Sequence, residues 1–457
     1  MWAVITNNLG SAYCQRLRGD EAENLENAIA CYQAALQIRT REASASDWAH
    51  TLGDLGLAYS LRIRGDIAEN LENAIACYQN ALEVLTHSAV PHLLAIMQHN
   101  LGSAYRKRIQ GEAAENIELA IACYQAALQV RTRKVFPEEW AMTQSNLGKA
   151  YSERISGEKA QNLEAAIACY QATLQVYTYE AFPKDWVIIQ NNLGDIYKDR
   201  ILGEKAENLE AAIACYQAAL QVYTREAFPK DWARTQNNLG IPYFQRIRGE
   251  KAQNLEVAIA CFQAALQVFK RETCPQDWAI TQRNLGETYS DRIFGEKAQN
   301  LEAAIASYQA ALQVYIREAF PQDWAITQNN LGFAYSERIY GGKAENLEAA
   351  ISCYQAALQV YTRTAENTTI LEWYMVDGKF LTFVVTSQSQ TPLLWQSTPQ
   401  DYQNLRKWFF EEYIDDYYEQ QSQWQNQLEK RLGELAKILH IDEILAKIPP
   451  QCDKLIL

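Results

Sequence analysis

Apolar residues recur along this chain in two alternating stripes, each at helical spacing. In residues 321–363 the first stripe is Trp324, Leu331, Tyr335 and Ile339, and the second is Leu347, Ile351, Tyr354, Leu358 and Tyr361. Steps of three, four and seven give each segment one apolar face and predict amphipathic helices. Pro321-Gln322-Asp323 opens the first helix, since proline loses no hydrogen bond at a first helical position and aspartate favours the positive helix end. Gly341-Gly342 is expected to end it. Asn346 is read as the N-cap of the second helix, with Glu348 in its first turn. Each helix is about 16 residues, or roughly 24 Å long, and the pair makes a helical hairpin.

The same two stripes return every 46 residues. Leu-Gly-x-x-Tyr marks the period, with glycines at Gly10, Gly56, Gly102, Gly148, Gly194, Gly240, Gly286 and Gly332. Repeats of this length cannot bury their apolar faces alone and must stack on their neighbours. The predicted fold is all-α: a right-handed α-solenoid of eight hairpins over residues 1–364, followed by a small, incomplete α/β segment over 365–457. A stacked array offers surface rather than chemistry.

Columns of equivalent residues separate constrained positions from free ones. Arginine stands in every copy, at Arg16, Arg62, Arg108, Arg154, Arg200, Arg246, Arg292 and Arg338. The asparagine equivalent to Asn346 and the glutamate equivalent to Glu348 are likewise never replaced, so the arginine is expected to pair with that glutamate across each hairpin, or with carbonyls at a helix end, as a structural ladder. The column after the glycine behaves oppositely, as Ser11, Leu57, Ser103, Lys149, Asp195, Ile241, Glu287 and Phe333. A variable position among invariant neighbours is the candidate partner-reading face, and Leu57, Ile241 and Phe333 suit a bound segment. Pro242 falls deep in a predicted helix, where it removes a donor and is expected to introduce a mild kink.

Composition narrows the function classes. Lys and Arg number 42 against 55 Asp and Glu, a formal net charge of −13, which argues against a nucleic-acid tracker needing a cationic stripe. No apolar run approaches the ~18 residues that span a bilayer, and the start at Met1 has no signal-peptide pattern. Seven of the ten cysteines, Cys31, Cys77, Cys123, Cys169, Cys215, Cys261 and Cys353, share one repeat column, with Ser307 in the remaining copy. They read as small buried packing residues in a reducing cytoplasm. His50, His87, His92 and His99 lack metal-ligand spacing, and no phosphate-cradling glycine loop occurs. No cofactor or metal is expected.

Leu331-Gly332-x-x-Tyr335 followed by Ala350-x-x-x-Tyr354-x-x-Ala357 resembles the tetratricopeptide pattern. The common unit is about 34 residues, so this one is longer, and its tryptophan stands seven rather than three residues before the leucine. In such a family the column after the glycine looks over a concave groove.

The regular pattern stops after Thr364. Two β-rich runs flank Val376-Asp377-Gly378 and read as a hairpin; Asp401–Tyr418 and Trp424–Leu439 read as helices, and Lys454-Leu455-Ile456-Leu457 as a strand. Ile370-Leu371-Glu372-Trp373-Tyr374 with Phe380-Leu381-Thr382-Phe383, then Leu439-His440-Ile441-Asp442-Glu443-Ile444 and Cys452 to Leu457, together resemble the start of the CHAT family. These are caspase-like proteases that follow tetratricopeptide arrays, especially in cyanobacteria. The resemblance implies a catalytic histidine and cysteine after the final strand, beyond Leu457. His440 and Cys452 are not expected to substitute for them. The expectation is a non-enzymatic scaffold that binds a protein or peptide along the groove, with no nucleic acid or membrane partner, and regulates or recruits for a CHAT-type protease. The alternative is the front portion of such a peptidase.

Overall fold

The computed structural model describes residues 1–85, 90–361, 368–376, 379–386, 393–396, 398–407, 437 and 454–456. The chain divides into two compact units, Met1–Val268 and Phe269–Leu457.

The first unit consists of six hairpins: α1 (Trp2–Cys14) with α2 (Glu21–Leu36), α3 (Ala45–Leu61) with α4 (Ile67–Leu85), α5 (Pro91–Lys107) with α6 (Ala113–Leu128), α7 (Pro137–Glu153) with α8 (Lys159–Thr173), α9 (Pro183–Asp199) with α10 (Lys205–Ala219), and α11 (Pro229–Gln245) with α12 (Lys251–Leu266). Each second helix packs on its own first helix, those from α2 to α10 pack also on the first helix of the next hairpin, and successive first helices also touch. This is solenoid stacking, as the period demands.

The second unit holds two more hairpins, α13 (Pro275–Ser290) with α14 (Lys297–Ala311) and α15 (Pro321–Ser336) with α16 (Lys343–Tyr361). After them come β1 (Thr368–Val376), β2 (Lys379–Thr386), β3 (Leu393–Gln396), α17 (Pro399–Lys407) and β4 (Lys454–Ile456). The strands form one sheet in the order β3-β2-β1-β4. β1 and β2 pair antiparallel from Thr369↔Thr386 to Val376↔Lys379, and β4 lies parallel to β1. The expected β-hairpin and terminal strand are both present. Of the two expected C-terminal helices, residues 401–407 fall within α17. The remainder, apart from Lys437, lies outside the described residues, as do His440, Cys452 and the Asp377-Gly378 link.

Proline starts the first helix of every hairpin from α5 onward at N1 or N2. The core lies where the second helix crosses the first. Tyr32, Tyr78, Tyr124, Tyr170, Tyr216, Phe262 and Tyr308 are at most 2% exposed, and burying one such ring contributes roughly 2–3 kcal/mol before the ordering cost. The helical glycine makes room for that ring: a Cβ built at Gly194 would sit 2.6 Å from Cε1 of Tyr216. Cys77, Cys169 and Cys261 are buried in the same layer, where desolvation pushes each thiol up to about 12. They are inert as nucleophiles at neutral pH.

Three local expectations are corrected. α15 ends at Ser336, before Gly341-Gly342, and Gly341 (φ +84°) turns the following loop instead. Ile339 therefore lies beyond the helix, exposed, and is not part of the apolar stripe. Asn346 is no N-cap: it stands inside α16, its backbone N–H bonded to the Gly342 carbonyl, and Glu348 falls past the first turn. Pro242 does lie deep in a first helix, as expected, buried within α11.

Candidate functional site

The loop between the two helices of a hairpin is fastened by three recurring groups. Gly203 turns the chain at φ +80°, a conformation that favours glycine. Asn208, inside the next helix, donates from Nδ2 to the Leu202 carbonyl at 2.9 Å and accepts from Nη1 of Arg200 at 3.2 Å. The remaining face of the guanidinium grips a carboxylate through Nε to Oε1 of Glu164 at 2.6 Å and Nη2 to Oε2 at 2.9 Å. Arg62–Glu26, Arg108–Glu72, Arg154–Glu118, Arg246–Glu210 and Arg338–Glu302 repeat it. The glutamate is 36 residues earlier each time, in the preceding hairpin. The expected pairing across each hairpin is thus corrected: the arginine reaches between hairpins, and within its own it holds the asparagine. Arg16, in the first hairpin, bonds Asn24. Arg292 likewise bonds Asn300. Bidentate geometry of this kind is directional as well as attractive, so the ladder sets the register of one hairpin on the next.

The variable column after the glycine divides in two. Leu57, Lys149, Glu287 and Phe333 are exposed, Leu57 at 43% and Phe333 at 50%. Ser11, Ser103, Asp195 and Ile241 are half-buried. Tyr32, Tyr124 and Tyr216 donate their hydroxyls to Ser11, Ser103 and Asp195, at 3.2, 3.1 and 2.6 Å. Burial pushes the Asp195 carboxyl above its ordinary range. Those three side chains anchor core tyrosines, which leaves the exposed four as the better surface readers.

The structure adds a neighbouring column that was not among the expected surface positions. Val4, Met142, Ile188 and Ile326 stand seven residues before the variable position and are 40–47% exposed on the same face of their helices. Between the two columns runs an amide column, Asn8, Asn100, Asn146, Asn192, Asn238, Asn284 and Asn330, interrupted once by Asp54. Asn100, Asn192 and Asn330 have no side-chain hydrogen bond to another described residue. The signal was present as a recurring aliphatic two residues after the tryptophan, but apolar type alone reads as core; only exposure reassigns it.

The first helices also bond each other through polar side chains. Asn7 donates to Asp54 at 2.9 Å, Asn238 to Asp195 at 3.2 Å, and Arg283 to Asp323 at 2.7 Å. In the third and fourth hairpins buried His99 lies with Nδ1 3.0 Å from Oγ1 of Thr143 and Nε2 3.3 Å from Nδ2 of Asn146. Arg131, also buried, donates to the same Thr143 hydroxyl at 2.9 Å. Burial, helped by Arg131, pushes the imidazole down to about 3, so His99 is neutral at physiological pH and serves as a fixed hydrogen-bonding group. His87 lies outside the described residues. Among the described residues no cluster of three or more His, Cys, Asp or Glu side chains is arranged to hold a metal ion. Nor, among them, is any helix long and apolar enough to cross a membrane.

No curated protein matches the chain. Among solved structures, similarity extends to the Cut9-Hcn1 heterotetramer of the APC/C (15% identity, 80% of this chain and 76% of that one, TM-score 0.38) and to a human IFIT1 dimer with m7Gppp-AAAA (15%, 79% and 90%, TM-score 0.29). A circular tandem repeat protein is also similar (15%, 79% and 96%, TM-score 0.28). Residues 2–41, the first hairpin, match the tetratricopeptide repeat family, and the hairpins that follow repeat its pattern of residues.

Proposed function

We propose that this protein is a non-enzymatic scaffold that holds a segment of a partner protein against the exposed face of its first helices. The observation that carries this reading is the pairing, on one helical face, of exposed Ile326 with the amide of Asn330 four residues on and exposed Phe333 seven on. Asparagine can donate to and accept from a peptide backbone at once, the aliphatics contribute area, and Leu57, Lys149, Glu287 and Phe333 supply selectivity. Among the described residues, the thiols of Cys77, Cys169 and Cys261 raised by burial and the neutral His99 offer no activated nucleophile or base. A tetratricopeptide match in the first hairpin agrees with protein partners.

The partner process we assign is restraint or recruitment of a CHAT-type protease. Support comes from the residues after 364, where a strand parallel to β1 joins an antiparallel hairpin in one sheet. The alternative, the front portion of a caspase-like peptidase, is separated by reading the coding DNA past codon 457: a frame with a histidine after the strand and then a cysteine favours it. For the scaffold itself, the test is capture of partners by the full chain and by an Ile188→Asp/Phe333→Asp variant. Loss of capture with unchanged helicity and melting is expected; unchanged capture removes the face from consideration.

A further inference from the structure

The joint between the fourth and fifth hairpins is made by three pairs of side chains. Ile167 of α8 and Leu193 of α9 share one buried cluster. Arg200 grips Glu164 through its two parallel bonds, and Gln171 Nε2 donates to the Tyr197 hydroxyl at 3.1 Å. Other joints repeat the set. Ile213 and Ile305 lie with Leu239 and Leu331, and Gln217 and Gln309 donate to Tyr243 and Tyr335 at 3.0 and 2.9 Å. One half of the joint is therefore Glu, Ile and Gln at steps of three and four. The other half is Leu, Tyr and Arg at steps of four and three.

Both halves recur uncovered. Leu9, Tyr13 and Arg16 stand in the first hairpin, and Glu348, Ile351 and Gln355 stand on α16, at the same steps. Leu9 is 48% exposed, whereas its equivalents from Leu55 to Leu331 are 3–6% exposed. Ile351 is 46% exposed, against 4–6% from Ile29 to Ile305, although β1 to β4 follow it in the same unit. Among the described residues Arg16 has no carboxylate and bonds only Asn24. Among them, too, the side chains of Glu348 and Gln355 and the Tyr13 hydroxyl have no hydrogen-bond partner.

We propose that α16 of one copy docks on α1 of a second copy, reproducing head-to-tail the joint that the chain makes internally. Complementarity selects the occupant residue by residue. Ile351 covers Leu9 as Ile167 covers Leu193, Glu348 receives Arg16 as Glu164 receives Arg200, and Gln355 donates to Tyr13 as Gln171 donates to Tyr197. A second copy brings all three complements at the required spacing, on a helix of the required kind. Head and tail are different surfaces, so the contact is heterologous and adds copies in succession instead of closing a two-fold dimer. It leaves free the exposed face of Ile326 and Phe333, and it stands whether or not that face binds a peptide.

Sedimentation velocity of the full chain over a wide concentration range tests it. The wild type is expected to grow reversibly past the dimer as concentration rises. Leu9→Asp blocks the head and Ile351→Asp blocks the tail, each weakening association at least about tenfold. Circular dichroism and melting should not change, because both side chains are exposed. An equimolar mixture of the two variants holds one intact tail, on Leu9→Asp, and one intact head, on Ile351→Asp; it should form a heterodimer and stop there. A wild type that stays monomeric overturns the proposal without reference to any variant. So does a mixture that stays monomeric, or a single variant that grows as the wild type does.

Discussion

Arg154 holds Glu118 of the preceding hairpin by two parallel bonds, Nε to Oε1 at 2.7 Å and Nη2 to Oε2 at 2.9 Å. The same guanidinium bonds Asn162 of its own hairpin at 3.4 Å. One side chain thus ties a loop closed and locks that loop to its neighbour. A column that must perform both tasks at every step cannot vary, which is why arginine, asparagine and glutamate recur together.

Arg200→Ala removes both links at one step. The pair is partly exposed, so solvent screening keeps its contribution modest; the bidentate geometry and the loss of the Asn208 contact raise the expected cost to about 1–2 kcal/mol. Thermal melting should fall by several degrees while partner capture at temperatures below the transition is retained. Unchanged melting with lost capture would reassign the column to ligand binding.

Acid should weaken the fold in two separable stages. Hydrogen bonds from arginine hold Glu26, Glu118, Glu164, Glu210 and Glu302 below the usual carboxylate range. Their contribution is complete above the unfolded value, roughly 4.3, and is lost as pH falls through the lowered folded values. His99 acts earlier. Its folded value of about 3 lies below the unfolded value of roughly 6.5, so stability is lost progressively between them as the unfolded chain takes up a proton the folded chain refuses. His99→Asn places there the residue that its repeat column carries at Asn191 and Asn237. The difference in melting between variant and wild type should change steadily from about pH 6.5 to about pH 4 in the variant's favour. A pH-independent difference would mean that His99 is not buried neutral.

Gly194→Ala tests the close crossing of helix and ring. Alanine is the better helix former by about 1 kcal/mol, yet its Cβ would meet Cε1 and Cζ of Tyr216 at 2.6 and 2.7 Å. Overpacking of this kind typically costs about 1–3 kcal/mol, so net destabilisation is expected in chemical denaturation. Combining it with Tyr216→Leu, which removes the ring, should recover part of the loss relative to the sum of the single changes.

Pro242→Ala should act in the opposite sense. Pro242 is buried inside α11, and most other hairpins carry alanine at this position. Restoring the missing backbone donor and relieving the ring's clash with the preceding turn is expected to raise stability by up to about 3 kcal/mol. A lower denaturation midpoint in the variant would show that the pyrrolidine ring packs better than a methyl group there.

Much of this architecture was legible from residue order. The helices follow from local spacing, and proline at N1 marked first helices such as α7 and α15 correctly. The interior glycine and the second-helix aromatic ring recur in every copy, but that the ring packs on the glycine of its own hairpin was visible only in the structure. Residue type taken without exposure is misleading. Ile339 and Ile326 look like core aliphatics, yet both face solvent, whereas Ser11 and Asp195 look like surface residues and instead anchor buried tyrosines.

The sequence by itself determined the period, the hairpin and the identity of the invariant columns, because helix formation depends on neighbours within a few residues. Only the tertiary structure decided which hairpin each Glu pairs with, that Asn208 fastens a loop from inside a helix, and which apolar columns remain uncovered. Identical spacing is compatible with contact to the hairpin before or the hairpin after. The choice rests on which loop a hairpin presents to the one before it, and that contact exists only once the hairpins are stacked.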